Sequence, residues 1–177
     1  DALKTPNPKA RRAVVHAIGT FKSEKASKAL RKYAEKDASY FVESDAISAW
    51  VAASTPAGQE LKGQPLESLE KFLLSRLSLE SYREVIRGQA LVALGRLPGV
   101  GRGEHPKALR ALMDFSRRGQ PTDARVAAIG ALCNVARTAA VSVRKEVFDL
   151  LDELADEDNF RVRIRMVMSL GHTESAD

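Results

Sequence analysis

The chain has 177 residues, 44% hydrophobic and 29% charged, which supplies apolar material for one core or for stacked repeats and excludes a disordered chain. Its single cysteine, Cys133, excludes an intramolecular disulfide and a cysteine-based zinc site, and a lone thiol mildly favours the cytosol. The formal charge of +5 is uneven: residues 1–36 hold ten Lys/Arg against three Asp/Glu (+7) and the other 141 hold eighteen against twenty (−2), while residues 146–158 carry seven acids and no Lys or Arg.

No apolar run approaches the roughly 18 residues that a membrane helix needs. The opening Asp1-Ala2-Leu3-Lys4 is neither an initiator methionine nor a signal peptide, so the sequence reads as a piece of a longer chain.

Taken in order, Pro6-Asn7-Pro8 predicts a helix start, with Asn7 as N-cap and Pro8 at the first helical position, where its missing N–H costs nothing. Ala10, Val14, Val15 and Ile18 then define one buried face up to Gly19. A second helix runs to about Lys36, with Ala26, Ala29, Leu30, Tyr33 and Ala34 inward and Lys25, Lys28, Lys32 and Lys36 on the other side. Asp37-Ala38-Ser39 caps a third over 40–54, and a longer connection follows over 55–65. Further helices are predicted over 66–78, 82–97, 105–118, 123–136, 141–155 and 159–171, separated by turns such as Pro98-Gly99-Val100-Gly101-Arg102-Gly103 and Gly119-Gln120-Pro121-Thr122. No stretch alternates apolar and polar residues as a strand would, so the fold class is all-α with about nine helices.

The odd-numbered helices superpose on one short pattern, best seen in 87–95. Aligning Arg87 places Arg11, Glu43, Arg87, Arg125 and Arg163 in one column, at steps of 32, 44, 38 and 38 residues. Four residues later stand Val15, Ile47, Leu91, Ile129 and Val167; six later, the small residues Ala17, Ala49, Ala93, Ala131 and Ser169; eight later, Gly19, Val51, Gly95, Cys133 and Gly171. A period near 38 with two helices per unit is the signature of a HEAT-type α-solenoid, expected as a right-handed superhelix over residues 1–177 with units at 7–36, 39–78, 82–118, 122–156 and 159–171. The terminal glycines fit a left-handed C-cap. The column arginines Arg11, Arg87, Arg125 and Arg163 are expected to link neighbouring repeats, with an interruption at Glu43. Both ends of the array should expose apolar area unless removed flanking sequence or another chain covers it, which leaves oligomerisation through the ends open.

The lines Arg12-Ala13-Val14-Val15-His16-Ala17-Ile18-Gly19 and Asp37-Ala38-Ser39-Tyr40-Phe41-Val42-Glu43-Ser44-Asp45-Ala46 resemble HEAT repeats from the C-terminal region of aminopeptidase N-like zinc metallopeptidases. The narrower likeness covers residues 7–50. It implies a non-catalytic part that packs against a catalytic domain encoded upstream, because the His-Glu-x-x-His zinc helix of those enzymes has no counterpart in this sequence.

The residues themselves point to no chemistry. His16, His105 and His172 have no second ligand at i+3 or i+4, so no metal, cofactor or catalytic residue is expected. Gly99-x-Gly101-x-Gly103 follows no strand and lacks a Gly-Lys-Ser/Thr, which makes it an inter-repeat turn. Cys133 and Trp50 occupy core columns. Lys9, Arg12, Lys25, Lys28, Lys32 and Lys36 form the candidate interaction surface. The expected function is a protein-binding scaffold that packs against or regulates access to a metallopeptidase-like domain. One alternative is a nucleic-acid-binding HEAT-like protein using the basic N-terminal unit, against which stands the confinement of the basic charge to that unit. The other is a bilin-lyase-like protein, since bilin lyases also use short HEAT-like repeats, and nothing beyond the repeat supports it.

Overall fold

A computed structural model describes residues 4–21, 23–54 and 64–171; His172 and the predicted turn residues 55–63 fall outside them. Among the described residues the fold is all-α, with no strand and nine α-helices: α1 (Pro8–Gly19), α2 (Glu24–Glu35), α3 (Tyr40–Ser54), α4 (Gln64–Arg76), α5 (Val85–Leu94), α6 (Pro106–Ser116), α7 (Thr122–Ala136), α8 (Val141–Glu153) and α9 (Phe160–Leu170). The chain divides into two compact units, residues 1–90 and 91–177, and the division falls inside α5.

In the first unit, α1 and α2 both pack on α3. The reason is written in α3, which buries Val42, Ala46, Ile47, Ala49, Trp50, Val51 and Ala53 and so presents apolar side chains around most of its circumference. Helix α2 is the opposite case, burying only the stripe Ala26, Leu30 and Ala34 and turning its lysines outward. Asn7 caps α1 by accepting from the Lys9 amide (3.0 Å), and Ser23 caps α2 through Ala26 N–H (3.2 Å). Trp50 donates its indole N–H to Ser27 Oγ (2.9 Å) and meets Phe72 of α4 edge-on, with ring centroids 4.8 Å apart.

The second unit repeats the scheme, with α6, α8 and α9 packed on α7. Helix α7 buries Ala124, Ala128, Ile129, Leu132, Cys133 and Val135, whereas α8 buries the stripe Val143, Val147, Leu150 and Leu151. The Gly99–Gly103 segment is a packed 3-10 turn: Gly99 (φ 89°) and Gly103 (φ 76°) take left-handed conformations open to glycine, and Gly101 O accepts from Ala140 N (2.8 Å).

The column glycines work differently from the expected left-handed caps. None of Gly19, Gly95 and Gly171 has positive φ. Instead, a Cβ on Gly19 would lie 2.8 Å from Ala49 Cβ, and one on Gly95 would lie 2.9 Å from Ala131 Cβ. The glycine eight residues past the column arginine position is there so that the next odd-numbered helix can press its small residue, six past its own, against bare backbone. Cys133 and Ser169 hold the same two positions between α7 and α9, and they hydrogen-bond.

Candidate interaction surfaces

The column residues build a polar rail whose members differ by position. Arg11, buried, donates from Nε and Nη2 to Asp37 Oδ2 and Oδ1 (3.0 and 2.7 Å) and from Nη1 to the carbonyls of Thr5 and Pro6 (2.8 and 3.0 Å). The Asp37 hydrogen bond is the main cause of its raised pKa. Arg125 donates from Nε to Ser116 O (3.1 Å), capping the end of α6, and pairs through Nη2 with Glu157. Both carboxylates stand six residues ahead of the column in the next unit, and both also accept the amide two residues on: Ser39 N to Asp37 (2.8 Å) and Asn159 N to Glu157 (2.9 Å). Arg87 has Gly119 at the corresponding place, so it caps α4 through Leu77 O (2.6 Å) and pairs with Glu84 of its own unit.

Glu43, the departure from the column, is buried and accepts Asp37 N (2.7 Å); burial pushes its carboxyl pKa up. The Arg163 side chain is exposed and makes no hydrogen bond or ion pair among the described residues, while its backbone N–H donates to Asn159 O (3.0 Å).

Of the candidate basic surface, Lys9, Lys25, Lys28, Lys32 and Lys36 are all exposed, and Lys28 pairs with Glu24 four residues before it (2.6 Å). Arg12 is half-buried against Asp45, lies 5.6 Å from the Phe41 ring centroid and has its pKa raised by that carboxylate; His16 Nε2 reaches the same Asp45 oxygen (3.1 Å). The lysines therefore form a solvated face, while Arg12 belongs to the α1–α3 contact. His105 is buried at the start of α6. Among the described residues no group of His, Cys, Asp and Glu could hold a metal ion, and no helix is long and apolar enough to cross a membrane.

One surface escaped the sequence reading in its detail. Along α9, Phe160, Ile164, Val167 and Met168 are exposed, Val167 by 71% and Met168 by 58%. Beside them Phe148, Leu151 and Ala155 of the α8 segment and Met166, Val167 and Leu170 of α9 line a groove of about 280 Å³, with Asp152 and Arg163 at its rim. Column mates of Val167 on earlier helices, Val15, Ile47, Leu91 and Ile129, are fully buried. The signal is the pattern itself: a core column repeated on the last described helix.

Helix pairs of this period, with column arginines and glycine contacts between odd-numbered helices, give an all-α fold of HEAT-like helix pairs. The family description HEAT repeats matches residues 1–50. Among solved structures, the chain is similar to one in the complex of CpcE and CpcF of phycocyanin lyase from Nostoc sp. PCC7120, at 21% identity and TM-score 0.67, over 93% of this chain and 91% of that one. It is also similar to an engineered protein at 14% identity and TM-score 0.54, over 98% of this chain and 77% of that one. Among curated proteins nothing matches.

Proposed function

We propose that this chain is a non-catalytic, protein-binding HEAT scaffold that works as one member of a multi-chain assembly. The observation that carries the reading is the uncovered core column of α9, with Val167 71% exposed where its four column mates are fully buried. Exposed apolar patches of this kind mark interaction sites in soluble proteins. The likeness, over 93% of the chain, to a chain of a two-protein complex supports it. Nothing in the comparisons supports the metallopeptidase parent implied by the resemblance of residues 7–50. Native mass spectrometry of the tagged chain purified from its own cells tests the reading. A complex with a second protein in fixed ratio, rebuilt from the two purified components, is expected; a monomer under all conditions overturns it.

A second reading is favoured by the same neighbour: the chain is a subunit of a bilin-lyase-type enzyme, supplying the scaffold on which a bilin is attached to a protein. Coexpression with phycocyanin subunits and a bilin source tests it. Covalent bilin absorbance that appears only when this chain is present is the expected result, and absorbance indifferent to the chain overturns it.

A further inference from the structure

Between the turn that follows α5 and the end of α7, the second unit holds a cleft of about 250 Å³ that shares no lining residue with the groove along α9. Its back wall is made by glycine. Gly95 lies against Ala131 with no room for a Cβ, and Gly101, where a Cβ would stand 3.3 Å from Ala139 Cα, accepts at its carbonyl from Ala140 N–H (2.8 Å). These contacts press the turn onto the end of α7, and Gly99 and Gly101 leave the wall free of side chains.

The side chains that do line the cleft are rich in donors. Arg96, Asn134 and Thr138 are exposed there, and none of the three side chains has a hydrogen bond or ion pair among the described residues. Arg102, also exposed, donates from Nε and Nη2 to the Glu104 carboxylate (2.7 and 3.1 Å), and Glu104 lies over Gly99, in the space that a Cβ there would take. No Asp or Glu lines the cleft among the described residues. The carbonyls at the ends of α5 and α7, which would repel an anion, are occupied: Ala93 O accepts from Arg96 N–H (3.1 Å) and Val135 O from Thr138 N–H (3.3 Å).

We infer that this cleft binds a small molecule through a phosphate or carboxylate group, held by Arg96 with Asn134 and Thr138 beside it. A guanidinium meets either group with two parallel N–H donors, and the Asn134 amide and Thr138 hydroxyl each add a further one. The cleft is smaller than the roughly 300–1,000 Å³ pockets that take drug-sized ligands, and larger than a bare ion needs, so the group is carried on a small organic body.

The test follows the backbone amide resonances of the full chain by NMR during titration with inorganic phosphate and, separately, with acetate, at an ionic strength held constant with sodium chloride. Saturable shifts at Gly99, Gly101, Asn134 and Thr138 are expected with at least one of the two, and the anion that produces them distinguishes a phosphate ligand from a carboxylate one. Arg96→Gln is expected to weaken that binding about tenfold, as the loss of a charge-assisted hydrogen bond does. Arg110→Gln, at an exposed arginine of α6 that does not line the cleft, is expected to leave it unchanged. Glu104→Gln removes the competing carboxylate, frees Arg102 and is expected to tighten it. All three substitutions are at exposed positions, and circular dichroism confirms that the variants fold. No saturable shift with either anion overturns the inference. Equal weakening by Arg96→Gln and Arg110→Gln also overturns it, because the anion is then drawn by overall charge and not by this cleft.

Discussion

Arg125 and Glu157, 32 positions apart, close an ion pair in which both side chains are almost wholly buried, 6% and 5% exposed. A pair so placed is costly to break from one side, because the survivor stays in a low-dielectric site without a partner. Glu157→Ala is therefore expected to lower unfolding stability by about 3 kcal/mol, and Arg125→Met together with Glu157→Leu to recover most of the loss. Arg117 and Glu153 provide the contrast: they are 2.9 Å apart but half-exposed, and Arg117→Ala should cost less than about 1 kcal/mol. Urea unfolding of the three variants checks the order, and an equal loss for Glu157→Ala and Arg117→Ala contradicts it.

Two buried glutamates predict opposite pH behaviour. The Arg125 hydrogen bond holds the Glu157 carboxyl at about 2, below its ordinary 4.5, so its contribution is fully present above pH 4.5 and disappears as the pH falls through 2. Burial raises Glu43 above 4.5, so its contribution is present below 4.5 and is lost as the pH rises through its folded value. Glu43→Gln keeps an acceptor for the Asp37 amide without a buried charge. It should raise the melting temperature at pH 7 and leave it unchanged near pH 4. Glu157→Gln should flatten the acid limb of the stability curve. Thermal melts at intervals from pH 2 to pH 8 separate the two.

The contact between Gly95 and Ala131 is a steric prediction. Gly95 follows the last residue of α5 without a positive φ, and at such a position alanine ordinarily gains up to about 1 kcal/mol by restricting the unfolded chain. Here the new Cβ would come within 2.9 Å of Ala131 Cβ and 3.2 Å of Ala131 O, so crowding opposes that gain. Gly95→Val should destabilise by about 2 kcal/mol, and adding Ala131→Gly should restore a large part. A Gly95→Val chain as stable as the original would show that the helices separate freely at this point.

The columns made most of this architecture legible, because residues that recur every 38 or so positions must meet equivalent neighbours. Helix positions followed, to within a few residues at the ends, from Asn7, the glycine turns and the apolar spacing. What the columns concealed is which neighbour each residue meets, since that depends on how one helix lies against the next. Gly19 and Gly95 look like left-handed caps when the helix is considered alone; only the position of Ala49 and Ala131 shows that missing side chains matter there. Asp37 and Glu157 share a position in the repeat, but their pairing with Arg11 and Arg125 is a tertiary fact. Arg163 shows the converse: it keeps the column, yet no acid meets its side chain among the described residues.

Cys133 offers a last test of the α7–α9 contact. Its side chain is 2% exposed, and burial raises its thiol pKa, with the Ser169 hydrogen bond and the nearby Arg165 charge pulling weakly the other way. Thiolate is the reactive form, so a buried thiol of raised pKa should react slowly with a disulfide reagent. The folded chain is expected to resist such labelling at pH 8, and the unfolded chain to give one equivalent of colour at once. Because Ser169 lies on α9, Ser169→Trp should pry that helix away and speed the folded-state reaction. Met168→Glu, at an exposed neighbouring position, should not. Fast labelling of the original folded chain would mean that α9 leaves α7 readily.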